Sequence, residues 1–403
     1  MRLSLRAAFL AGAIIAISGA ALAEPVSLAQ ALNQGSGQSP RIAQAKAQAA
    51  AAEARARQAG ASPNPELSVD VENFAGTGVF QGFRSTETTL AVSQRFELGG
   101  KRGARVSIAG AERDFSYLNL RRAEVDLARD IRFAHAELRA AEDRALLARE
   151  NVAQAAELAR TARLLVEAGR DPPLHKLRAE ALLSQAEAEQ ARTFGELLAA
   201  RRALADLIGI FDPELSADTS GLEPVPEALA ADAITLDEKL ATAECRVAQA
   251  KIDAARAEGV PDVTVSGGLR RNNDGRDTAF VAGISIPLPV RNRNRGGIEA
   301  AQADAGACEA ALAQARLDTR RARHDAKMLL GAADARVEAL SGPTLHQAQE
   351  AVRLARLGYS AGKFSLIELI DAQAALTSTK LALIEARLDR ARALAALIRA
   401  NAQ

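Results

Sequence analysis

Four short stretches of the chain alternate apolar and polar residues. Leu67, Val69 and Val71 alternate with Ser68, Asp70 and Glu72, while Thr88, Leu90, Val92 and Phe96 share a face opposite Glu87, Ser93, Arg95 and Glu97. Further on, Val263, Val265 and Leu269 alternate with Asp262, Thr264, Ser266 and Arg270, and Phe280, Ala282, Ile284 and Ile286 share a face that Val281 opposes. This period-two pattern predicts strands of roughly 9–11 residues with one apolar and one charged face, the length of a tilted membrane strand. A soluble sandwich strand carries the same pattern.

Between these stretches the period changes. From Leu127 an apolar residue recurs in 4-3 spacing through Ile131, Ala134, Leu138, Ala141, Ala145, Ala148, Val152, Ala155, Ala159, Ala162 and Val166. The same spacing runs Ile367, Ile370, Ala374, Thr377, Leu381, Ile384, Leu388, Ala391, Ala395 and Ile398, with Thr377 the polar exception. These are coiled-coil seams, and small seam residues let helix axes approach closely. Residues 104–168 predict one helix of about 98 Å. The chain turns at Pro172 and Pro173, which suit a helix start. It returns as helices near 174–208 and 235–258, separated by a Pro/Gly/Ser-rich stretch from Phe211. Laid end to end, the two span about 89 Å, close to the outgoing helix. A second outgoing helix is predicted over 298–357, a second return helix over 364–400, and another helix near 40–59. The last two lack partners, and the simplest repair places them end to end between neighbouring subunits.

These signals come twice. "RFELGGKRGAR" from Arg95 is echoed by "IPLPVRNRNRGG" from Ile286, and "LVEAGRDPPLHKLRAEA" by "GYSAGKFSLIELIDAQ". The mature chain therefore reads as two copies of one unit, residues 24–222 and 223–403. A period of roughly 200 residues far exceeds that of common solenoids. Glycines stand at each strand-to-helix joint, Gly99 and Gly100 in the first copy, Gly296 and Gly297 in the second. They permit a backbone change that other residues make only at a cost. Beside them lie Lys101, Arg102 and Arg105, then Arg291, Arg293 and Arg295. If the strands cross a membrane, these cations suit lipid phosphates at the headgroup level; a solvated basic turn is the plainer reading.

Residues 1–23, with Arg2 and Arg6 before an apolar run that ends Ala21-Leu22-Ala23, read as a secretory signal peptide cleaved before Glu24. A transmembrane anchor would need a longer run. Export makes a disulfide permissible. Cys245 and Cys308, the only cysteines, fall on separate predicted helices and read as two unpaired small core residues. The four histidines, His135, His175, His324 and His346, stand singly, without metal-ligand spacing.

Aromatics make up only 3% of the chain and tryptophan is absent, which points to long helices with narrow seams rather than a thick core. A net charge of +1 carries no nucleic-acid footprint. Gly358 stands too close to Gly362 for a phosphate loop. No nucleophile–base grouping converges, so neither an enzyme nor a cofactor is expected. Four strands cannot close a barrel, which needs about eight, and membrane edges must be paired. Two copies would supply eight strands and three would supply twelve.

The duplicated strand pair and long helical hairpin resemble the TolC family of outer-membrane efflux channels along nearly all of the mature chain. "VENFAG", "TTLAVSQRFELGGKR" and "IPLPVRNRNRG" look like the branch serving heavy-metal exporters of the cobalt–zinc–cadmium type. The resemblance implies a mixed, mainly α fold. In it a homotrimer forms a twelve-stranded β-barrel in the outer membrane, continuous with a twelve-helix α-barrel through the periplasm. It implies outer-membrane lipid, a periplasmic adaptor and a proton-driven inner-membrane pump of the RND type as partners. It implies a passive duct for heavy-metal cations. A multidrug, solvent or type I secretion duct of the same fold is one alternative. A periplasmic coiled-coil adaptor is another, but it would show one hairpin rather than two.

In "GYSAGKFSLIELID" the resemblance puts Tyr359 at a gate tyrosine, and Glu368 and Asp371 at two acidic positions of the periplasmic constriction. Three copies of these acids would repel one another and attract cations, and bonds from Tyr359 would help hold the end shut. A solvated helix start explains the same acids more simply. Phe364 stands where some members carry a gate arginine, and the first-copy turn, Gly169 to His175, matches more loosely. Only a few phenylalanines, such as Phe74, Phe80, Phe83 and Phe96, are available for an aromatic girdle.

Overall fold

The computed structural model describes residues 25–210, 214–218, 223–225 and 233–403. The expected signal peptide lies outside the described residues. Local chemistry fixes the helix starts. α1 (Leu28–Gln38) opens on a capping box, in which Ser27 Oγ accepts from the Gln30 N–H and the Gln30 side chain accepts from the Ser27 N–H. α2 (Pro40–Ala59) begins on a proline, whose missing N–H is one the first turn cannot use. The sequence pattern gave no sign of α1, because "QGSGQ" at its end reads as loop.

The strands β1 (Glu66–Glu72), β2 (Glu87–Phe96), β3 (Val263–Asn272) and β4 (Thr278–Ser285) form one antiparallel sheet in the order β1-β2-β3-β4. The register lines up Val69, Leu90, Leu269 and Phe280 across all four strands. One residue along, Asp70, Thr89 and Arg270 line up on the opposite face. The expected faces are thus the observed ones, although Ile286 falls just beyond β4. Among the described residues, the outer edges of β1 and β4 pair with nothing.

The long helix is α3 (Lys101–Glu167), about 100 Å at 1.5 Å per residue. Every position of its predicted seam is buried or half-buried. It is followed by α4 (Pro173–Ile208), α5 (Leu236–Glu258), α6 (Arg295–Ala339), α7 (Leu345–Ser360) and α8 (Leu366–Ala400). The second outgoing helix is therefore broken. A π-helical turn at Leu340–Thr344 separates α6 from α7, with Gly342 off helical geometry and Pro343 inside it. Proline cannot donate to the ladder, and its ring clashes with the preceding turn.

The helices form one layer of four columns. α2 and α4 pack on α3; α5 and α8 also pack on α3, and α6 packs on both α5 and α8. The end-to-end partners differ from those expected. α4 does not continue into α5, and the end of α8 is already taken up within the chain. There α8 abuts α5: the Leu236 N–H donates to Ala402 O at 2.8 Å, and Arg399 holds both Asp237 and Asp126. α4 abuts the α1–α2 turn, where Ile208 shares a core with Ala31, Ile42, Leu127 and Ile131. The crossover between α4 and α5 carries the chain from the first column to the third, which nearest-in-sequence pairing cannot reveal.

The columns are thus α4 with α2, then α3, then α8 with α5, then α7 with α6. The strands they feed lie in the same order, so each strand continues a column. No helix among the described residues is long and apolar enough to cross a membrane.

Cys245 and Cys308 correct a second expectation. They form a disulfide between α5 and α6, with Cα atoms 5.4 Å apart. Neighbouring columns bring together what the sequence separates by 63 positions.

Candidate functional site

Three zones carry the residues singled out in the sequence. The first is the polar face of the sheet. Arg270 donates to Thr89 Oγ1 at 3.0 Å, to Glu87 at 3.1 Å and to Glu72 at 3.4 Å, joining three strands. On the other face Val69 is 61% exposed, Leu90 48% and Phe280 91%. So much apolar surface on one sheet face is a poor match to water and a good one to hydrocarbon.

The second zone is the pair of joints. Gly99 and Gly100 have φ of 67° and 77°, the left-handed region where a side chain costs about 1 kcal/mol or more. A Cβ on Gly99 would also press into Val260. Gly296 and Gly297 do not play this part. They lie in the first turn of α6, and the left-handed residue is Asn294, at φ 54°. Asn294 Nδ2 donates to Ala255 O at 2.7 Å, and a Cβ on Gly297 would overlap that same side chain. Asparagine tolerates this region better than other side chains.

The cations of the first joint are mostly spoken for. Lys101 Nζ pairs with Asp262 at 2.8 Å, and Arg105 pairs with Glu97 and donates to Ala59 O and Ala61 O. These contacts bind strand to helix, so Lys101 and Arg105 are not held out for lipid phosphates as expected. Arg102, Arg291 and Arg295 are exposed and, among the described residues, in no ion pair.

The third zone is the far tip, where both helical hairpins turn. The two turns share one device. Gly169 and Gly362 are left-handed, the Gly169 and Arg170 N–H groups return to Val166 O and Leu165 O, and the Gly362 and Lys363 N–H groups return to Tyr359 O and Gly358 O. This is a Schellman turn in both copies. Phe364 lies flat against Gly358, where any Cβ would overlap its ring.

Glu368 forms the capping box of α8: the Ser365 N–H donates to its Oε2 at 2.6 Å, and the Glu368 N–H returns to Ser365 Oγ at 3.4 Å. Glu368 and Asp371 are both exposed. The cap role of Glu368 agrees with the simpler reading of that acid.

Within one copy Tyr359 makes none of the expected bonds across the tip. Its hydroxyl is buried and hydrogen-bonds to nothing among the described residues. Burial, and then the charge of Asp171, push its ionisation up. Asp171, from the first-copy tip, was not singled out from the sequence. Its Oδ1 takes His175 Nδ1 at 2.9 Å, while its Oδ2 is buried without a partner. The first-copy turn thus supplies an acid whose charge reaches Tyr359, and only the repeat, tip against tip, could have pointed to it.

A belt lies midway along the columns. Val26 pairs with Ala217, and His135 Nε2–H donates to Val26 O at 3.0 Å. Burial holds His135 below its ordinary pKa, and Arg139 pushes the same way. Glu142 accepts the Ala217 N–H, and burial raises its pKa. A cleft of about 630 Å³ beside the belt is lined by Leu32, His135, Arg139, Ser341 and Arg387 among others. It lies far from the tip acids. No cluster of three metal-ligating side chains exists among the described residues.

Comparison with known proteins follows the geometry. The sequence profile described as outer membrane efflux protein matches residues 31–210 and 233–403. The nickel-cobalt-cadmium resistance protein NccC of Alcaligenes xylosoxydans xylosoxydans is 33% identical over 63% of this chain and 59% of its own length. The nickel and cobalt resistance protein CnrC of Cupriavidus metallidurans is 35% identical over 63% of this chain and 61% of its own. The match therefore spans about three fifths of these relatives. In fold, a membrane protein from Pseudomonas aeruginosa superposes with a TM-score of 0.81 at 21% identity, covering 93% of this chain and 90% of that one.

Proposed function

Because the chain belongs to the outer membrane efflux protein family, the TolC family of channels, we propose that it is the outer-membrane duct of a tripartite exporter of heavy-metal cations. Three copies join into a twelve-stranded barrel in the outer membrane and a twelve-helix tunnel below it. A signal peptide, residues 1–23, directs export, and residues 24–222 and 223–403 form the two repeats. The duct performs no chemistry. It works with a periplasmic adaptor and a proton-driven inner-membrane pump, which select and drive the cargo.

One observation carries this reading. The open edge of the sheet at β1 and the open edge of the helical layer at α2 and α4 belong to the same column. The open edges at β4 and at α6 with α7 likewise belong to one column. A next copy that pairs one layer is therefore placed to pair the other. Polar residues on one sheet face and exposed aliphatic residues on the other suit a water-filled lumen inside lipid.

Metal cations are the favoured cargo because NccC and CnrC are named for nickel and cobalt resistance. At the tip, Tyr359, Glu368 and Asp371 line the narrow end, where exposed acids repeated three times draw cations in. The test is metal content. Cells deleted for this chain accumulate nickel, cobalt or cadmium and are corrected by restoring it. Unchanged metal together with raised dye or antibiotic content would instead assign it to a multidrug duct of the same fold.

A further inference from the structure

The two strand hairpins stand on differently built legs. The legs of the first, α2 and α3, are tied by Arg41 to Asp130 at 3.1 Å, by Tyr117 Oη to Glu53 at 2.9 Å, and by a run of buried alanines on α2. The legs of the second, α5 and α6, approach as closely, but among the described residues no ion pair joins them. Ion pairs here run within helices, Arg256 to Asp253 and Arg321 to Asp318. Asn294 supplies one hydrogen bond at the joint itself. The Cys245–Cys308 disulfide stands where the first pair of legs has its side-chain ties. The loop it closes contains all of β3 and β4. α6 and β4 are also the open edge that the next copy must meet.

We propose that the chain is a substrate of a periplasmic dithiol oxidant, a protein carrying a reactive disulfide, and that assembly of the barrel waits on formation of Cys245–Cys308. This rests on the reading of the chain as exported. The thiolate of one cysteine attacks the oxidant's disulfide, giving a mixed disulfide and releasing one oxidant thiol. The second cysteine then displaces the other. In sum, the chain's two thiols lose two electrons and two protons, and the oxidant's disulfide becomes a dithiol. The product holds α5 beside α6, so that β3 and β4 reach the membrane in register and present a formed edge.

The experiment follows full-length chain in cells with and without their periplasmic dithiol oxidant. A maleimide reports free thiols, and fractionation reports chain in the outer membrane. Without the oxidant, the wild-type thiols react and outer-membrane chain falls several-fold. Added oxidised glutathione restores both. The Cys245→Ser, Cys308→Ser double variant is low throughout and gains nothing from glutathione. Wild-type thiols that stay blocked without the oxidant would overturn the proposal, as would a double variant that accumulates like wild type. Should oxidised wild-type chain appear outside the outer membrane in every strain, the duct reading fails while dependence on the oxidant is still read from the thiols. Thiols that stay free in every strain overturn the proposal, while the duct reading is judged by the fractionation alone.

Discussion

Val69 and Leu90 sit in one row with Leu269 and Phe280, while Asp70 and Arg270 sit in the next row on the reverse face. If the first row meets lipid, Val69→Arg costs about 2–4 kcal/mol near the bilayer midplane, and Asp70→Asn is tolerated. Urea unfolding in lipid vesicles measures both, and the opposite pattern would mean the faces are reversed. Tyr359 is a test case at this scale. Its hydroxyl is buried without a partner among the described residues of one copy, so on that geometry Tyr359→Phe removes an unpaired group rather than a latch. Thermal stability then holds or rises by up to about 1 kcal/mol, and the open fraction in planar bilayers stays the same. A raised open fraction would mean the hydroxyl finds a partner in the assembled channel. His135 sets a pH dependence. With its folded pKa depressed by burial, its contribution is present above the ordinary value of about 6.5 and is lost as pH falls through the folded value. Glu142, raised by burial, acts in the opposite sense. His135→Gln, compared with wild type in thermal melts between neutral and mildly acid pH, isolates the histidine, and an unaltered acid loss would clear it. Gly99 and Gly100 were legible in the sequence because glycine is the usual tenant of left-handed backbone. Asn294 was not, since asparagine signals that conformation only weakly beside two glycines.

At the scale of elements, strands and long helices were legible from their periods, and the seam of α3 is where the 4-3 spacing put it. The break between α6 and α7 was signalled by "SGP" but outweighed by the apolar period on either side. Pairing between columns was not legible. Four alanine-rich helices offer interchangeable small seams, and the choice among them rests on end contacts such as Arg399 with Asp126 and Asp237. The disulfide follows from that pairing, so it was hidden too. Closing a loop of this length contributes about 4 kcal/mol in the chain-entropy picture. Cys245→Ser should therefore lower the unfolding free energy of the detergent-purified protein by roughly that amount. A loss below about 1 kcal/mol would show that packing alone holds α5 to α6.

For the whole molecule, strand order and column order coincide, and the chain presents two open sides, each made of one strand edge and one helical flank. A single copy leaves β1 and β4 with unpaired backbone groups that hydrocarbon cannot solvate. Closure in a ring would remove both edges at once, and the proposed ring has three copies. The open edges were legible early, from four strands being too few, although the number of copies was not, because eight strands and twelve both close. The proposed gate belongs to this scale as well, since Glu368 and Asp371 are exposed in one copy and would converge only around a common axis. Native mass measurement of the protein extracted from outer membranes in mild detergent tests the central claim most directly. The account predicts one species of three chains that stays intact until the strands unfold. A monodisperse monomer that retains its full β content would contradict it.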